Sequence, residues 1–225
     1  MIQNILVAGG TGRTGRIIVE KLRQQGFTTH VLVRDIDSGK ALLGEGVIFH
    51  QTDVRNLQTL EGVMQNIDAL ISAVGSQTPV GKNCPKRVDF QGVANLLNTA
   101  KMHRVQRFIL ISSLAVTRPN HPLNCFGKVL DWKLKGEEVV RNSGLNYVII
   151  RPGGLKDTPG GTGQLVFDQD DKILGTISRE DIAEICVKAL VIPNIQKVTF
   201  KVIEGDQKQD KITNWLPLLS SLVPV

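Results

Sequence analysis

Cysteine, aromatic residues and long apolar runs are all scarce in this 225-residue chain, and each scarcity excludes a class of function. Its three cysteines, Cys84, Cys125 and Cys186, lie far apart with no Cys-x-x-Cys pair. That pattern suits a reducing compartment and predicts neither a disulfide framework nor a zinc site. Cys186 falls in an apolar helical run and reads as core. The histidines, His30, His50, His103 and His121, form no ligand-spaced pair, so no metal is expected. Aromatic residues make up 4% of the chain, with one tyrosine, and no stacking strip for single-stranded nucleic acid is visible. No apolar run is long enough to cross a bilayer, and the first strand starts within a few residues of Met1, leaving no room for a leader or transit peptide. The expectation is a cytoplasmic protein, or a plastid-stromal one that has already lost its presequence.

What is present is an ordinary globular balance, 41% hydrophobic and 21% charged, enough for one large domain or a main domain with a small appended lobe. The net charge of +6 favours an anionic ligand. Lys101, His103, Arg104 and Arg107 read as a basic patch, but without a reading helix nucleic acid is not the expected partner.

Short apolar runs alternate with helical patterns through the first 150 residues. Strands are predicted at Asn4–Ala8, Thr28–Val33, Val47–Gln51, Ala69–Ala73, Arg107–Ile111 and Tyr147–Ile150. Helices are predicted near Arg13–Gln25, Asp37–Leu43, Leu57–Met64, Arg87–Lys101 and Gly127–Asn142. Several strands are continuously apolar, as strands covered by helices on both faces must be. The sum is an α/β, doubly wound parallel sheet. Beyond Pro152 the pattern changes. Lys156–Gly163 reads as a mobile loop and Leu165–Leu174 as a short hairpin. Ser178-x-x-Asp181 is a capping-box start for a helix over Ile182–Leu190, and a late strand is expected at Val198–Val202. The tail Ile212–Leu222, with Trp215, Leu216, Leu218, Leu219 and Leu222, would either dock on the main domain or meet a partner. The division expected is a nucleotide-binding core over 1–152 and a substrate-side lobe over 153–225, in a single domain.

The strongest motif follows the first strand at once: Gly9-Gly10-Thr11-Gly12-Arg13-Thr14-Gly15, then a helix. This is the layout of a Rossmann-like loop that cradles a dinucleotide pyrophosphate. Gly9 would make the turn, Gly12 would let the backbone approach the phosphates, and Gly15 would let the helix pack close to the sheet. At the end of the second strand stands Arg34, where an acid would select NAD and an arginine accommodates the 2′-phosphate of NADP. Arg13 is placed to share that phosphate, so NADP(H) is the expected cofactor. Asp35 would serve the ribose or start the next turn. Asp53 and Val54 are placed to edge the adenine, and Ala73, Val74 and Gly75 to run under its ribose.

The glycine loop, VLVRD, the Asp89-Phe90-Gln91-Gly92 helix, Ile111-Ser112-Ser113, and SGLNYVIIRPGGL followed by ISREDIAEI together resemble the atypical, NmrA-like short-chain dehydrogenase/reductases. The resemblance spans nearly the whole chain. VLDWKLKGEEVVRNSGLNYVIIRPGGL looks most like a branch that includes the NADP-binding domain of the large stromal subunit of the chloroplast inner-envelope import translocon, together with its stand-alone relatives. The proline-rich repeats through which that subunit binds a reductase have no counterpart here, so such docking is not implied.

In active members of the wider family a tyrosine and a lysine four residues later share one helix face. The lysine holds the nicotinamide ribose and the tyrosine passes the proton. The resemblance places Lys133 as that lysine, but Val129 stands where the tyrosine belongs, and the sole tyrosine, Tyr147, lies in the next strand. It also implies that Ser112 or Ser113 faces the substrate, with Ser113 the preferred catalytic serine beside Lys133, and that Pro152, Gly153 and Gly154 form the loop at the nicotinamide face. Trp132 reads as core. Two functions remain: an NADPH-dependent reductase of a conjugated ring such as a flavin, quinone or bilin, which does not need the tyrosine, or a non-catalytic NADP(H) sensor or assembly factor that meets a protein partner. A nucleic-acid-associated regulator would rest on fold analogy alone.

Overall fold

In the computed structural model, residues 2–192, 195–208 and 215–224 are described. The chain alternates β1 (Asn4–Ala8), α1 (Arg13–Gln24), β2 (Thr28–Val33), α2 (Ile36–Leu43), β3 (Ile48–Gln51), α3 (Leu57–Leu60) and β4 (Ala69–Ser72). A π-helical turn over Lys86–Gly92 runs into α4 (Val93–Met102), followed by β5 (Arg107–Ile111), α5 (Val129–Arg141) and β6 (Tyr147–Pro152). The remainder is β7 (Gly154–Lys156), β8 (Gly163–Asp168), β9 (Thr176–Ser178), α6 (Arg179–Val191), β10 (Val198–Lys208) and α7 (Leu216–Ser220).

The main sheet has the order β3-β2-β1-β4-β5-β6-β10-β8, parallel except for the antiparallel β10–β8 pair, and β7 pairs with β9 in a parallel two-stranded sheet. Because side chains alternate along a strand, each central strand feeds two cores. Ile5, Val7, Val31, Ile71, Ile109, Val148 and Phe200 pack with α1 and α6 on one face. Leu6, Leu32, Leu70, Phe108, Ile149 and Tyr147 pack with α4 and α5 on the other. This two-sided burial explains the continuous apolar runs in the sequence.

The C-terminal part departs further from the sequence reading. Only the first arm of the expected Leu165–Leu174 hairpin is a strand: β8 pairs with the distant β10. The reason is Asp168, whose carboxylate accepts the backbone N–H groups of Asp170, Lys172 and Ile173 and so folds the following residues into a turn. The Lys156–Gly163 loop is tied down rather than free, since Gly160 N–H donates to Glu180 and Gly161 N–H to Asp181, at 2.9 and 2.8 Å. The expected capping start is formed by Ser178, whose Oγ accepts the Asp181 N–H at 2.9 Å and donates to the Asp181 carboxylate at 2.7 Å. Within the tail, Trp215, Leu219 and Leu222 join the α1–α6 core, while Leu216 is exposed; Ile212 lies outside the described residues.

Two side chains correct the sequence reading, and a third takes one of the two roles expected of it. Arg107 belongs to no basic surface patch: it is buried and donates from Nη1 to the carbonyls of Ala189, Leu190 and Ile192, closing the C-terminus of α6. Trp132 is half-buried on the outside of α5, against Phe90 and beneath the ammonium of Lys135. Asp35 serves the next turn, capping α2 by accepting the Ser38 N–H at 2.8 Å. Cys186 is fully buried, as read, and burial pushes its thiol far up.

Candidate functional site

Two adjoining cavities open at the C-terminal ends of the parallel strands, where ligands of open α/β sheets bind. The first, about 590 Å³, runs from the Gly9–Gly15 loop past Arg34, Asp53 and Val54 to Asn83. The second, about 540 Å³, is lined by Ser112, Ser113, His121, Leu123, Lys133, Pro152, Gly153, Gly154, Leu174 and Gly175, among others. They meet at Thr14, Ala73, Val74, Gly75, Leu155 and Arg179, which line both.

The glycine loop has the geometry of a phosphate cradle. Gly9 adopts φ +83°, and a Cβ on it would lie 2.6 Å from the Ala73 carbonyl oxygen. A Cβ on Gly15 would lie 2.0 Å from the Gly9 oxygen, so only glycine lets α1 start this close to the turn. Gly12 caps α1 with no side-chain bond to the free N–H groups, and the first turn carries no acid. Its amide field is therefore open to an anion in the cleft. Thr11 and Thr14 line the same cleft. Gly10, expected among the cofactor contacts, does not line it: it is buried, and a Cβ there would lie 2.6 Å from Val31 Cγ1. Its smallness serves helix–sheet packing instead.

Arg34 and Arg13, expected to share one phosphate, have different partners. Arg34 Nη1 reaches Asn83 Oδ1 at 3.5 Å, and Arg55 Nη1 donates to the same oxygen at 3.0 Å. Arg55 also pairs with Asp53, and with Arg34 nearby it holds the Asp53 carboxyl below its usual range. Arg13 instead pairs with Asp157, which also takes Arg179 Nη1 at 2.8 Å. The guanidinium beside Arg34 is thus Arg55, and Arg13 ties the glycine loop to the segment after β7.

In the second cavity, Lys133 is no solvated surface lysine: its Nζ is 2.7 Å from Oδ1 of the buried Asp89. The other oxygen of Asp89 accepts the Ser76 N–H at 3.1 Å, joining α5, the π-helical turn and the segment after β4. Gly136 permits this approach, since a Cβ there would lie 2.7 Å from the Asp89 carbonyl oxygen. Ser113 Oγ caps the next turn by accepting the Ala115 N–H at 3.3 Å, while Ser112 is buried beneath. Val129 begins α5 and packs with Ala115, Val116 and Leu130; Tyr147 is core. Among the described residues, then, no tyrosine lines the cavity.

Arg55, Asn83, Asp89, His121, Asp157 and Arg179 received no role from the sequence, because each reaches the site across a loop. The one available signal was Asp53-x-Arg55, an acid and a base two residues apart at a strand end.

Comparison with known proteins agrees with this geometry. The family described as NAD(P)H-binding matches residues 9–193. The chain is 35% identical over 231 residues to an uncharacterized chloroplastic protein of Arabidopsis thaliana, covering 92% of this chain and 70% of that protein. It is 32% identical to sanguinarine reductase of Eschscholzia californica, covering 87% of each. It is also 29% identical to the chloroplastic TIC 62 of Arabidopsis thaliana, covering 89% of this chain but 35% of that longer protein. In fold it is similar to a putative NAD-dependent epimerase/dehydratase from Bacillus halodurans, with TM-score 0.82, 24% identity, and 98% and 100% of the two chains covered. An anaerobilin reductase of Escherichia coli O157:H7 gives TM-score 0.79 at 22% identity over 92% and 100%. A short-chain dehydrogenase/reductase of Veillonella parvula in complex with NADP gives 0.74 at 15% over 95% and 100%. With its glycine cradle, its doubly wound sheet and a family match over most of its length, the chain belongs to the NAD(P)H-binding atypical short-chain dehydrogenase/reductases of the NmrA-like kind.

Proposed function

We propose that the protein is an NADPH-dependent reductase of a conjugated ring compound, of the flavin, quinone or bilin kind. One observation carries the reading: a dinucleotide-sized cleft with an amide cradle continues, through Ala73–Gly75, into a second cavity of about 540 Å³ with mainly apolar walls. Leu123 and Leu174, half or more exposed, stand on that cavity's wall, a lining suited to a flat apolar ring. Sanguinarine reductase, among the relatives, is named for a reductase activity.

The residues fit the cofactor. Gly9, Thr11, Gly12, Thr14 and Gly15 would hold the pyrophosphate, with Gly10 behind them. Arg34, beside Arg55, would hold the 2′-phosphate, with Asp53 and Val54 at the adenine and Ala73, Val74 and Gly75 along the adenosine ribose. Ser112, Lys133, Pro152, Gly153 and Gly154 would flank the nicotinamide end. When bound, NADPH supplies a hydride. The protein's own contribution is to place the ring against it and exclude water.

The test is NADPH oxidation by the purified chain with menadione, FMN and a bilin, measured against the free-solution rate. Turnover above that rate with at least one acceptor, and preference for NADPH over NADH, is expected; no turnover with any of them removes the reading.

A second reading, an NADP(H)-responsive sensor, is favoured by Asp157, which links the glycine loop through Arg13 to α6 through Arg179. A phosphate taking Arg13 would remove one of the ties that hold this loop, leaving Arg179 on Asp157. It predicts that NADP(H) changes proteolysis within Asp157–Gly163 and the capture of a protein partner without turnover. A cleavage pattern indifferent to nucleotide counts against it.

A further inference from the structure

Beyond β6 the main sheet runs on into β10 and β8. Lys201 on β10 stands opposite Arg151 on β6 and Asp168 on β8, so the three side chains share one face of the sheet. Arg151 reaches Glu137 of α5 from that face. Lys201 is only 2% exposed and does not line the second cavity, yet it touches two segments that do. One is the turn Leu114–Thr117 after β5, whose Leu114 and Ala115 stand on the cavity wall. The other is the stretch between β8 and β9, whose Leu174 and Gly175 stand there too. The Lys201 ammonium pairs with Asp171 of the second segment and donates to Thr117 Oγ1 of the first at 3.2 Å. Thr117 donates in turn to Asp171 Oδ1 at 2.9 Å.

A buried ammonium is costly unless it is paired. Burial first, and then the like charges of Arg151 and Arg118, work against it and lower its pKa to about 8. The two other carboxylates that act on it are already taken. Asp168 accepts the N–H groups of its own turn, and Glu137 holds Arg141 and Arg151. Asp171 is left as the counterion, and its backbone shows the constraint: φ is +67°, a left-handed conformation that a non-glycine residue seldom keeps unless its surroundings impose it.

We propose that Lys201 is a positioning residue for the substrate end of the site: through Asp171 and Thr117 it anchors two wall segments of the second cavity to β10 and so sets the width of ring that the cavity admits. This inference rests on the reductase reading and adds to it the group that shapes the substrate pocket from behind. Further contacts lay the second segment across the same strand. A Cβ on Gly175 would lie 3.1 Å from Ile203 Cδ1, and Ile203 is two residues beyond Lys201 on the same face. The Gly175 carbonyl accepts the Gly154 N–H at 2.9 Å, which fixes the far end of the segment, while the ion pair fixes its middle. Without the ammonium, the Thr117–Asp171 bond would still join the two segments to each other, but neither side chain would be held to the sheet.

The test combines hydrogen exchange with kinetics. Lys201→Met keeps the apolar stem and removes the ammonium. Mass spectrometry should show faster amide exchange than in the wild type over 114–118 and 169–175, with the glycine loop over 9–15 unchanged. Asp171→Asn, at a half-exposed side chain, should loosen 169–175 and carries the same test if Lys201→Met does not fold. Thr117→Val leaves the ion pair in place and should change least. With NADPH and whichever of menadione and FMN the wild type reduces, Lys201→Met is expected to raise the KM of the acceptor about tenfold, the mark of lost binding, while kcat and NADPH affinity stay near the wild-type values. Wild-type exchange in both segments, or a rise that includes the glycine loop, overturns the anchor. Faster exchange with an unchanged KM overturns the positioning role. A wild type that reduces neither acceptor removes the reductase reading for these acceptors and the positioning role with it, and the exchange data still decide the anchor.

Discussion

The two halves of the site are built differently. The dinucleotide half comes from consecutive residues: one strand, one glycine turn and one helix start supply its cradle, and the charges beside it stand at strand ends. The other half is assembled from β5, the two turns that follow it, α5, the end of β6 and the segment between β8 and β9. A site made of neighbours in sequence depends on local backbone geometry, whereas one made of distant segments depends on whatever clamps those segments together. Here the clamps are buried ions. Glu137, one turn after Lys133 on α5, is fully buried and pairs with Arg141 at 2.5 Å and Arg151 at 2.6 Å, which joins α5 to β6.

The contrast can be broken at its strongest points. Glu137→Ala would leave two guanidinium groups without their shared carboxylate and is expected to cost about 3–5 kcal/mol, the usual range for a broken buried pair. Urea unfolding monitored by circular dichroism would measure it. A loss below 1 kcal/mol would show that the substrate half does not hang on this clamp.

Gly15→Ala attacks the local half. Its Cβ would meet the Gly9 carbonyl, so the turn must shift, with an expected cost of about 1–3 kcal/mol and a larger proportional loss of NADPH binding than Glu137→Ala causes. Fluorescence titration beside thermal melting separates the two effects. Unchanged affinity would mean that the cradle is not where the phosphates sit.

Arg34→Ala sharpens the comparison within the nucleotide cleft. It should weaken NADPH about tenfold, about 1.4 kcal/mol, and leave NADH nearly unaffected, as isothermal titration would show. Arg13→Ala, whose guanidinium faces Asp157, should discriminate less between the two nucleotides. The reverse ranking would restore Arg13 to the 2′-phosphate.

The smallest effect is expected at the β3 edge of the sheet. His30 Nδ1 and His50 Nε2 lie 2.9 Å apart on β2 and β3, and burial lowers both imidazoles, with His50 adding to the shift of His30. With folded values below the unfolded one near 6.5, the unfolded chain takes up protons first as pH falls. The stability contribution is therefore present above about pH 6.5 and lost progressively below it. A drop in melting temperature of less than about 4 °C on acidification is expected, and His50→Gln should flatten it. An unaltered profile in the variant would assign the acid sensitivity elsewhere.

The strands of the sheet were legible residue by residue because helices cover both faces, so the strands are written as apolar runs: β1, β2 and β5 have the bounds that the sequence predicts. The Leu165–Leu174 hairpin misled because a strand's partner is not encoded in the strand; β8 pairs with the distant β10, Asp168 opposite Lys201. Arg107 misled because a charged residue beside other charges reads as surface, while the carbonyls that claim it belong to α6.

What the sequence determined by itself is the glycine cradle and the arginine at the end of β2, since backbone conformation and strand-end position are properties of adjacent residues. The pairing of Lys133 with Asp89, the orphaned hydroxyl of Ser112 and the different partners of Arg13 and Arg34 were decided only by the tertiary structure. The reason is electrostatic. A charge or a hydroxyl removed from water takes whichever partner the fold brings within hydrogen-bond reach, and in this chain those partners stand on other loops and helices.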